Sequence, residues 1–545
     1  MKKIIFIFLS TIVFSACSDQ FLETENKNYL DVGSFFKTEN DLLLAVNTAY
    51  SPLTHRGVFG LSYFKISNTL DPYLWWETPG AGFDQMIMKS SDFEFTWEDL
   101  YRGLFRTSDI LANINRLENV IEPTKYKQYR AQLTALRAMY YFYLVTWFDK
   151  PIYYDETNVP TNPLIGFTNG TPEQFWSKIE EDLTYSVQNL PTSWPTTETG
   201  RITAGAANAQ LGKALLYKHF HYYLRFNKGA TSEATQNLTK AKAALKAVID
   251  SKNYALVLPI EKTKAHYLAA LLSNSSYLDI PVGTKTYKSE NNSESVWEIQ
   301  FNDNDRAANT ALPGWKVGGN QLYEYFSPLN YRNLEIDPTL WYQFETAGVP
   351  AGFDRDPRAF ATCYLEGDTL DWRAESGYKI GFQSAVHTKQ VVFNNNLYNG
   401  PVPSRAIGLK KYYYPQFSRI TSAPSNVRLI RYADVLLMYA ELALLIDNDA
   451  DGSGLAALNE VRSRAGMPSI TTLNRQAIVH ERDLEFAIEG IRYHDILRWS
   501  YDAAFDINFE TLFKGKFDKT KNMYFPIPQK EIDANNGLLK QNPGW

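Results

Sequence analysis

Three observations predict a mainly α fold: a scaffold of helical hairpins carrying a loop-rich subdomain with a few short strands. Apolar residues recur at helical spacing through residues 39–251 and again after 426. Prolines and capping residues punctuate these runs at intervals of about 15–20 residues, the length of one arm of a tetratricopeptide-like hairpin. Between them, residues 252–425 turn rich in Pro, Gly, Asn and aromatics, and the helical period fades. The resulting plan has five parts. Residues 1–16 are a signal peptide and 17–38 a tether. Residues 39–251 form a first helical scaffold, 252–425 a loop-rich region with the texture of binding loops, and 426–545 a second helical scaffold with a closing tail.

The first helix runs from Glu39 to Tyr50 and stops near Pro52. A long one is expected from Trp97 to Val120, ended by Pro123. In the next, Leu133, Leu136, Tyr140, Tyr143 and Trp147 are spaced by three and four and share one face, with Pro151 as the stop. Thr171 and Pro172 open a helix over 173–190 that Pro191 closes. Helices follow over Thr203 to Tyr223 and over 234–250. SVWEIQF, 295–301, alternates as a strand. Helices return at 427–446, 453–465 and 474–499. The first of these is apolar nearly all round, which marks burial. Arg431, Asp434 and Glu441 interrupt it on one stripe, so they require buried partners, with Arg462, Arg464, His494 and Arg498 as candidates. Trp147, Trp297 and Trp499 are assigned to the core.

The N-terminus reads as an export signal. Lys2 and Lys3 precede eleven largely apolar residues, Ile4 to Phe14, and then Ser15, Ala16 and Cys17. Eleven residues rise only about 16 Å as a helix, too short to span a bilayer. The cysteine after two small residues resembles a bacterial lipoprotein signal, which implies cleavage before Cys17 and acylation of its thiol. The only other cysteine is Cys363. It is left without an intramolecular partner and is expected to be a buried small hydrophobe. The net charge is −5, two units more negative once Lys2 and Lys3 leave, and there is no basic tract. That argues against nucleic-acid binding.

Catalytic and metal signatures fail on inspection. HERDL, 480–484, lacks the second His of HExxH. His219 and His221 are two apart on a helix and point to different faces. Asp447, Asp449, Asp451 and Gly452 begin like a calcium loop, but Leu458 stands where the bidentate Glu belongs. No G-x-S-x-G or P-loop is present. No cofactor and no metal are expected.

The binding chemistry lies in the aromatics. They make up 14% of the chain, with 35 Tyr and 12 Trp, more than a core requires. Two segments put them among Pro and Gly. DPYLWWETPGAGFDQ, 71–85, holds Tyr73, Trp75, Trp76, Phe83, Asp84 and Gln85 on an expected irregular loop; PGWKVGGNQLYEYF, 313–326, holds Trp315, Asn320, Tyr323 and Tyr325. Flat rings match the C–H faces of sugars, while amides and carboxylates read hydroxyls. These ten residues are the candidate ligand-binding set. The alternative use of each aromatic is to pack its loop onto the scaffold.

Six segments in order carry a family resemblance: LRAMYYFYLVTWFDKPIYY (136–154), GRITAGAANAQLGKALLY (200–217), RYADVLLMYAELAL (431–444), LNEVRSRAGMP (458–468), HERDLEFAIEGIRYHDILRWS (480–500) and YFPIPQKEIDANNGLLKQNPGW (524–545). They resemble the SusD/RagB family of Bacteroidetes outer-membrane lipoproteins. The chain departs at Asp149-Lys150, where the family has Gly and an acid, and at Asn535-Asn536, where it has Asn-Pro. The resemblance implies a tetratricopeptide-like scaffold, no catalysis, and a lipid anchor holding the protein on the outer face of the outer membrane. It also implies a SusC-like TonB-dependent transporter as partner and oligo- or polysaccharide as ligand. Two other readings stay open: a peptide-capturing member of the same family, and a secreted glycoside hydrolase, which would need two carboxylates flanking the bond.

Overall fold

The protein is seen in a computed structural model that describes residues 36–76, 86–160, 165–274, 279–301, 319–322, 326, 334–365, 369–373, 386–390, 407–411 and 423–545. Cys17 and the signal lie outside them. Among the described residues no helix is long and apolar enough to cross a membrane.

The fold is mainly α. The N-terminal helices are α1 (Glu39–Tyr50), α2 (Ser62–Thr69), α3 (Glu94–Asn113), α4 (Pro123–Phe148), α5 (Pro172–Asn189), α6 (Ala204–Lys218) and α7 (Ser232–Asp250). From α3 to α7 each packs on its chain neighbour, so the hairpins form a continuous series. Their starts are coded locally. Thr38 and Thr171 form capping boxes with Asp41 and Gln174, and the Thr203 and Thr231 side chains accept from the amides of Ala206 and Ala234. Pro123 opens α4 instead of closing α3, because it sits at the first helical position with the Glu122 carboxylate capping two amides at 2.9 Å. α3 ends at Asn113 and gives way to a single 3₁₀ turn, Ile114–Leu117. α4 is buried on every side from Ala131 to Phe148, and α1, α3 and α5 all pack on it. At its end Asp149 takes φ +58, in the left-handed region that favours Gly, and the Lys150 amide donates to the Phe148 carbonyl at 2.6 Å. Arg225 pairs with the Asp149 carboxylate.

The series is interrupted after α7 by α8 (Lys264–Leu272), the short helices α9 (Pro338–Gln343) and α10 (Pro357–Thr362), and a set of short strands. After β1 (Leu74–Trp76) these are β2 (Ile280–Val282), β3 (Lys285–Tyr287), β4 (Ser295–Ile299), β5 (Leu334–Ile336), β6 (Cys363–Leu365), β7 (Thr369–Arg373), β8 (Val386–Gln390) and β9 (Ile407–Leu409). Of them β4 is buried on both faces from Val296 onward. The chain returns through β10 (Val427–Arg431), antiparallel to β4 with Val427 opposite Ile299 and Ile430 opposite Trp297. It then enters α11 (Tyr432–Asp447), which packs on α7 and resumes the series, and α12 (Ser453–Arg464) follows. Residues 427–431 are therefore a strand and not the first turn of a helix. The α13 segment (Arg475–Glu485) and α14 (Arg492–Trp499) are two helices where one was expected, broken by a turn in which Ile488 has φ 72 and Gly490 φ 71. Asp449 and Asp451 are spent on the start of α12, accepting from the amides of Gly454 (2.6 Å), Leu455 (2.7 Å) and Ser453 (3.0 Å). Cys363, Trp147, Trp297 and Trp499 are all buried.

The charges on the apolar helix belong to a buried ion network larger than the expected pairs. Arg431 reaches Glu294 (2.6 Å), Glu485 (2.9 Å) and Glu489 (2.8 Å), and Arg464 joins the same Glu294 and Glu485. A second chain runs Asp434–Arg482–Asp495–Arg498–Glu441, ending with the Trp499 indole donating to Glu441 at 2.9 Å. Arg462 turns instead to Glu345 and Glu481, and His494 to Ser67. Glu441→Ala leaves the Arg498 guanidinium and the Trp499 N–H short of an acceptor. It should destabilise the fold by about 3–5 kcal/mol in denaturant unfolding. An unchanged midpoint would show that the network contributes nothing.

Candidate functional site

The two aromatic segments are rooted at opposite ends of one short helix. The first leaves the C-terminal end of α2. Asp71 accepts from the Tyr73 amide at 2.9 Å, turning the chain into β1 (Leu74–Trp76). β1 pairs antiparallel with β5 (Leu334–Ile336), with Trp75 opposite Glu335 and Trp76 opposite Leu334. β5 continues to β9 (Ile407–Leu409) and β6 (Cys363–Leu365), completing a four-stranded sheet. Trp75 and Trp76 thus sit on a strand backbone and not on an irregular loop. The expected loop reading failed because the pairing partner is more than 250 residues away in sequence and leaves no local signal.

Arg492, at the start of α14, buttresses this turn. Its guanidinium bonds the Asp71 carboxylate at 2.8 and 3.0 Å and Asp483 at 2.9 Å, and lies 4.7 Å from the centre of the Tyr73 ring. Tyr73 is half-buried, and burial pushes its hydroxyl up to about 12. The Asp337 amide donates to the Tyr73 carbonyl at 2.8 Å, fixing the next residue before the strand.

The second segment is rooted just before α2. The Gln321 amide donates to the Gly60 carbonyl at 2.8 Å, and Asn320 makes a two-way backbone bridge to Ala423. Asn320 is fully buried. Its Nδ2 donates to the Ser425 carbonyl (2.5 Å) and hydroxyl (3.1 Å), and its Oδ1 accepts from the Leu322 amide (3.0 Å). It is an anchor for the segment and not a ligand contact. An amide in an aromatic loop has the same signature in sequence for either role. The roots are thus separated by the eight residues of α2, about 12 Å. Phe83, Asp84, Gln85, Trp315, Tyr323 and Tyr325, with the side chains of Trp75 and Trp76, lie outside the described residues.

α2 itself is clamped from the C-terminal side. Gly490 donates to Asn68 Oδ1 (3.0 Å) and accepts from the Tyr63 hydroxyl (3.2 Å), and a Cβ there would meet Ser67 and Tyr63 at 3.3 Å. His494 packs against both Tyr63 and Trp147, its ring near-parallel to each, and reaches the Ser67 hydroxyl at 2.9 Å. The sequence signal for these clamps was present in the Gly490 and His494 of GIRYHDILRW, but without the fold it did not say what they hold.

A Ser–His–Asp string went unnoticed in the sequence. Ser51 Oγ lies 3.3 Å from His55 Nε2, and His55 Nδ1 3.0 Å from Asp99 Oδ1. The connectivity is that of a hydrolase triad. Here Asp99 is also paired with Arg102 and accepts from the Gly57 amide at 2.9 Å, so the string pins the 51–57 turn to α3. Gly57 is required there, since a Cβ would lie 2.0 Å from the Phe95 carbonyl. Among the described residues no group of three or more His, Cys, Asp or Glu side chains could hold a metal.

By its build the chain is a helical-hairpin scaffold with a long insertion of short strands and loops. It belongs to the SusD/RagB family. The family model described as "SusD family" matches residues 280–545, and one described as "Starch-binding associating with outer membrane" matches 20–216. SusD-like protein P25 of Formosa agariphila is 23% identical over 574 aligned positions, covering 99% of this chain and 98% of that one. The fold is shared with a solved laminarin-binding SusD-like protein (22% identity, TM-score 0.67, 94% of this chain and 100% of that chain). It is shared too with a structure solved with a xylogluco-oligosaccharide (20% identity, TM-score 0.64, 91% and 98%).

Burial, together with the nearby Lys213, pushes the His494 imidazole down to about 3 against the partial pull of Asp495. Between about pH 6.5 and 3 the unfolded chain therefore binds a proton that the fold refuses, and stability rises with pH. His494→Gln should remove about 1.4 kcal/mol per pH unit from that slope, read by denaturant unfolding from pH 7 to 4. His219 and His221, pushed down to about 4 and 3 by burial, keep their own shares. An unaltered slope would mean that His494 is charged in the fold.

Proposed function

We propose that this protein is a non-catalytic carbohydrate-binding lipoprotein of the cell surface. In this reading it is tethered to the outer membrane by lipid on Cys17, captures oligo- or polysaccharide, and passes it to a SusC-like TonB-dependent transporter. The observation that carries the reading is the rooting of both aromatic segments on α2 in a member of this family. An extended sugar chain offers successive apolar faces, and two aromatic segments rooted about 12 Å apart can meet more than one ring. The laminarin-binding and xylogluco-oligosaccharide structures support the ligand class, and the outer-membrane description of the N-terminal family model supports the location. Residues 252–425 supply the second segment and β5, the strand that pairs with β1, which fits a ligand-binding region inserted in a helical scaffold. Nothing in the proposal needs chemistry from this chain: import is driven through the transporter.

The test uses protein begun after Cys17 against a panel of polysaccharides and oligopeptides. One class of glycan should bind, and the double change Trp75→Ala with Trp76→Ala should weaken binding about tenfold or more while the melting temperature holds. Equal loss of affinity and melting temperature would make the pair core. Binding of oligopeptides alone would replace the ligand class, and stoichiometric release of reducing ends would replace binding by hydrolysis.

A further inference from the structure

A cleft of about 390 Å³ opens between the α5–α6 loop, the turn after α7, and β4. That is within the size range of small-ligand sites, about 300–1,000 Å³. Among the described residues it shares no lining residue with the two aromatic segments. Two half-buried rings line it, and each is pinned by its polar tip. The Trp194 indole N–H donates to the Ile202 carbonyl at 2.8 Å, and the Tyr254 hydroxyl meets Thr203 Oγ1 at 3.0 Å. With those polar atoms spent, the rings have carbon surface left to offer, and they are ordered before any ligand arrives. The exposed amide of Asn253 stands beside them.

The charges in the cleft are already matched. Glu198 pairs with Arg201 Nε at 2.7 Å, and Arg201 also donates to Gln132 (2.9 Å) and Asn47 (2.8 Å). Glu298 accepts from the Asn291 amide with both oxygens at 3.1 Å. Among the described lining residues no unpaired charge calls for a charged ligand, so the lining suits a neutral, hydroxyl-rich one. Trp297, 2% exposed, lines the cleft from β4, and its indole N–H has no acceptor among the described residues. A buried donor left without an acceptor is uncommon in native folds. The ridge that bounds the cleft is fixed as well: Gly200 has φ 95, and a Cβ there would lie 2.3 Å from Gln300 Cγ. A second cleft of about 360 Å³, lined by Tyr50, shares Glu198 to Arg201 with the first.

Resting on the carbohydrate reading above, we propose that the Trp194–Tyr254 cleft is a second glycan site, separate from the α2 platform, that takes a short stretch of neutral polysaccharide. Affinity electrophoresis of the chain begun after Cys17, in gels containing laminarin, xyloglucan, amylopectin or galactomannan, tests it. Asn253 is exposed, so Asn253→Trp fills the cleft without removing a packed group, and an unchanged melting temperature verifies the fold. The Trp75→Ala/Trp76→Ala protein should keep residual retardation, and adding Asn253→Trp should weaken it about tenfold or more. Trp194→Ala in the same background should act in the same direction. Retardation that vanishes with Trp75 and Trp76 alone, or that ignores both cleft variants, overturns the second site and leaves the platform standing. Loss on Asn253→Trp alone, with the Trp75/Trp76 variant unaffected, keeps the cleft and overturns the platform. A wild-type protein retarded by none of the four overturns both.

Discussion

The architecture depends on one buried ion network, the one joining Glu294, Arg431, Arg464 and Glu485. The helical series is cut between α7 and α11 by a long insertion, and no apolar stripe on one helix can specify how the two halves rejoin. The network does so at the point of return. Glu294 immediately precedes β4, Arg431 ends β10, Arg464 ends α12, and Glu485 ends α13. Arg358, from the short helix Pro357–Thr362 in the insertion, extends it to Asp356 and Glu481. Burial pushes the Glu485 carboxyl up, and Arg464, Arg431 and Arg358 more than offset it, holding the group well below the ordinary carboxylate range. An apolar seam would join the same elements with a smaller desolvation cost. What the network adds is direction, because a planar guanidinium bonded to two carboxylates accepts few arrangements of the elements that carry them.

That direction is transmitted to the candidate site through a few residues. Glu485 and Glu489 bracket the turn that breaks α13 from α14, and both are held by Arg431. The turn delivers Gly490 to α2 and Arg492 to Asp71 and Tyr73. A helix early in the chain is thus positioned by residues more than 400 positions later. Because α2 is held in place by these distant residues, the aromatic segments rooted on it can be altered without moving their roots.

What was legible in the sequence was whatever is coded within a few residues. Glu39–Tyr50 and the Thr171-Pro172 start of α5 were read to within a residue, because caps and prolines act locally. β4 was read from its alternation. Where a distant partner decides, the reading failed. VRLIR joins an apolar helix without a break in composition, and only pairing with β4 makes it a strand. The Pro- and Gly-rich surroundings of Trp75 and Trp76 predict a loop, yet β5 holds their backbone extended. Asn320 was read for its hydrogen-bonding capacity, which the fold has already spent on Ser425 and Leu322. Charge stripes on buried helices announced that partners must exist but not which, since a guanidinium on α12 or α13 satisfies a carboxylate equally well.

A capture protein that must also let go faces a constraint that favours several modest contacts over one tight pocket. A single deep site slow enough in dissociation to hold a polymer in moving water also delays its release to a transporter. Two sites engaged by one polysaccharide raise retention through effective concentration, because detachment from one leaves the chain held near it by the other. Each attachment can then be broken separately, at the smaller cost of a few sugar rings on one aromatic surface. Aromatic platforms suit this use. Their affinity comes from area and ordering of the rings, with no buried charge whose pairing must be undone, and it tolerates a ligand that slides by one sugar unit. In the proposed reading the ligand-sized cleft at Trp194 and Tyr254 follows that logic: its rings are fixed by a rigid helical scaffold, and its charges are matched inside the protein, so that a sugar would meet carbon, amides and hydroxyls.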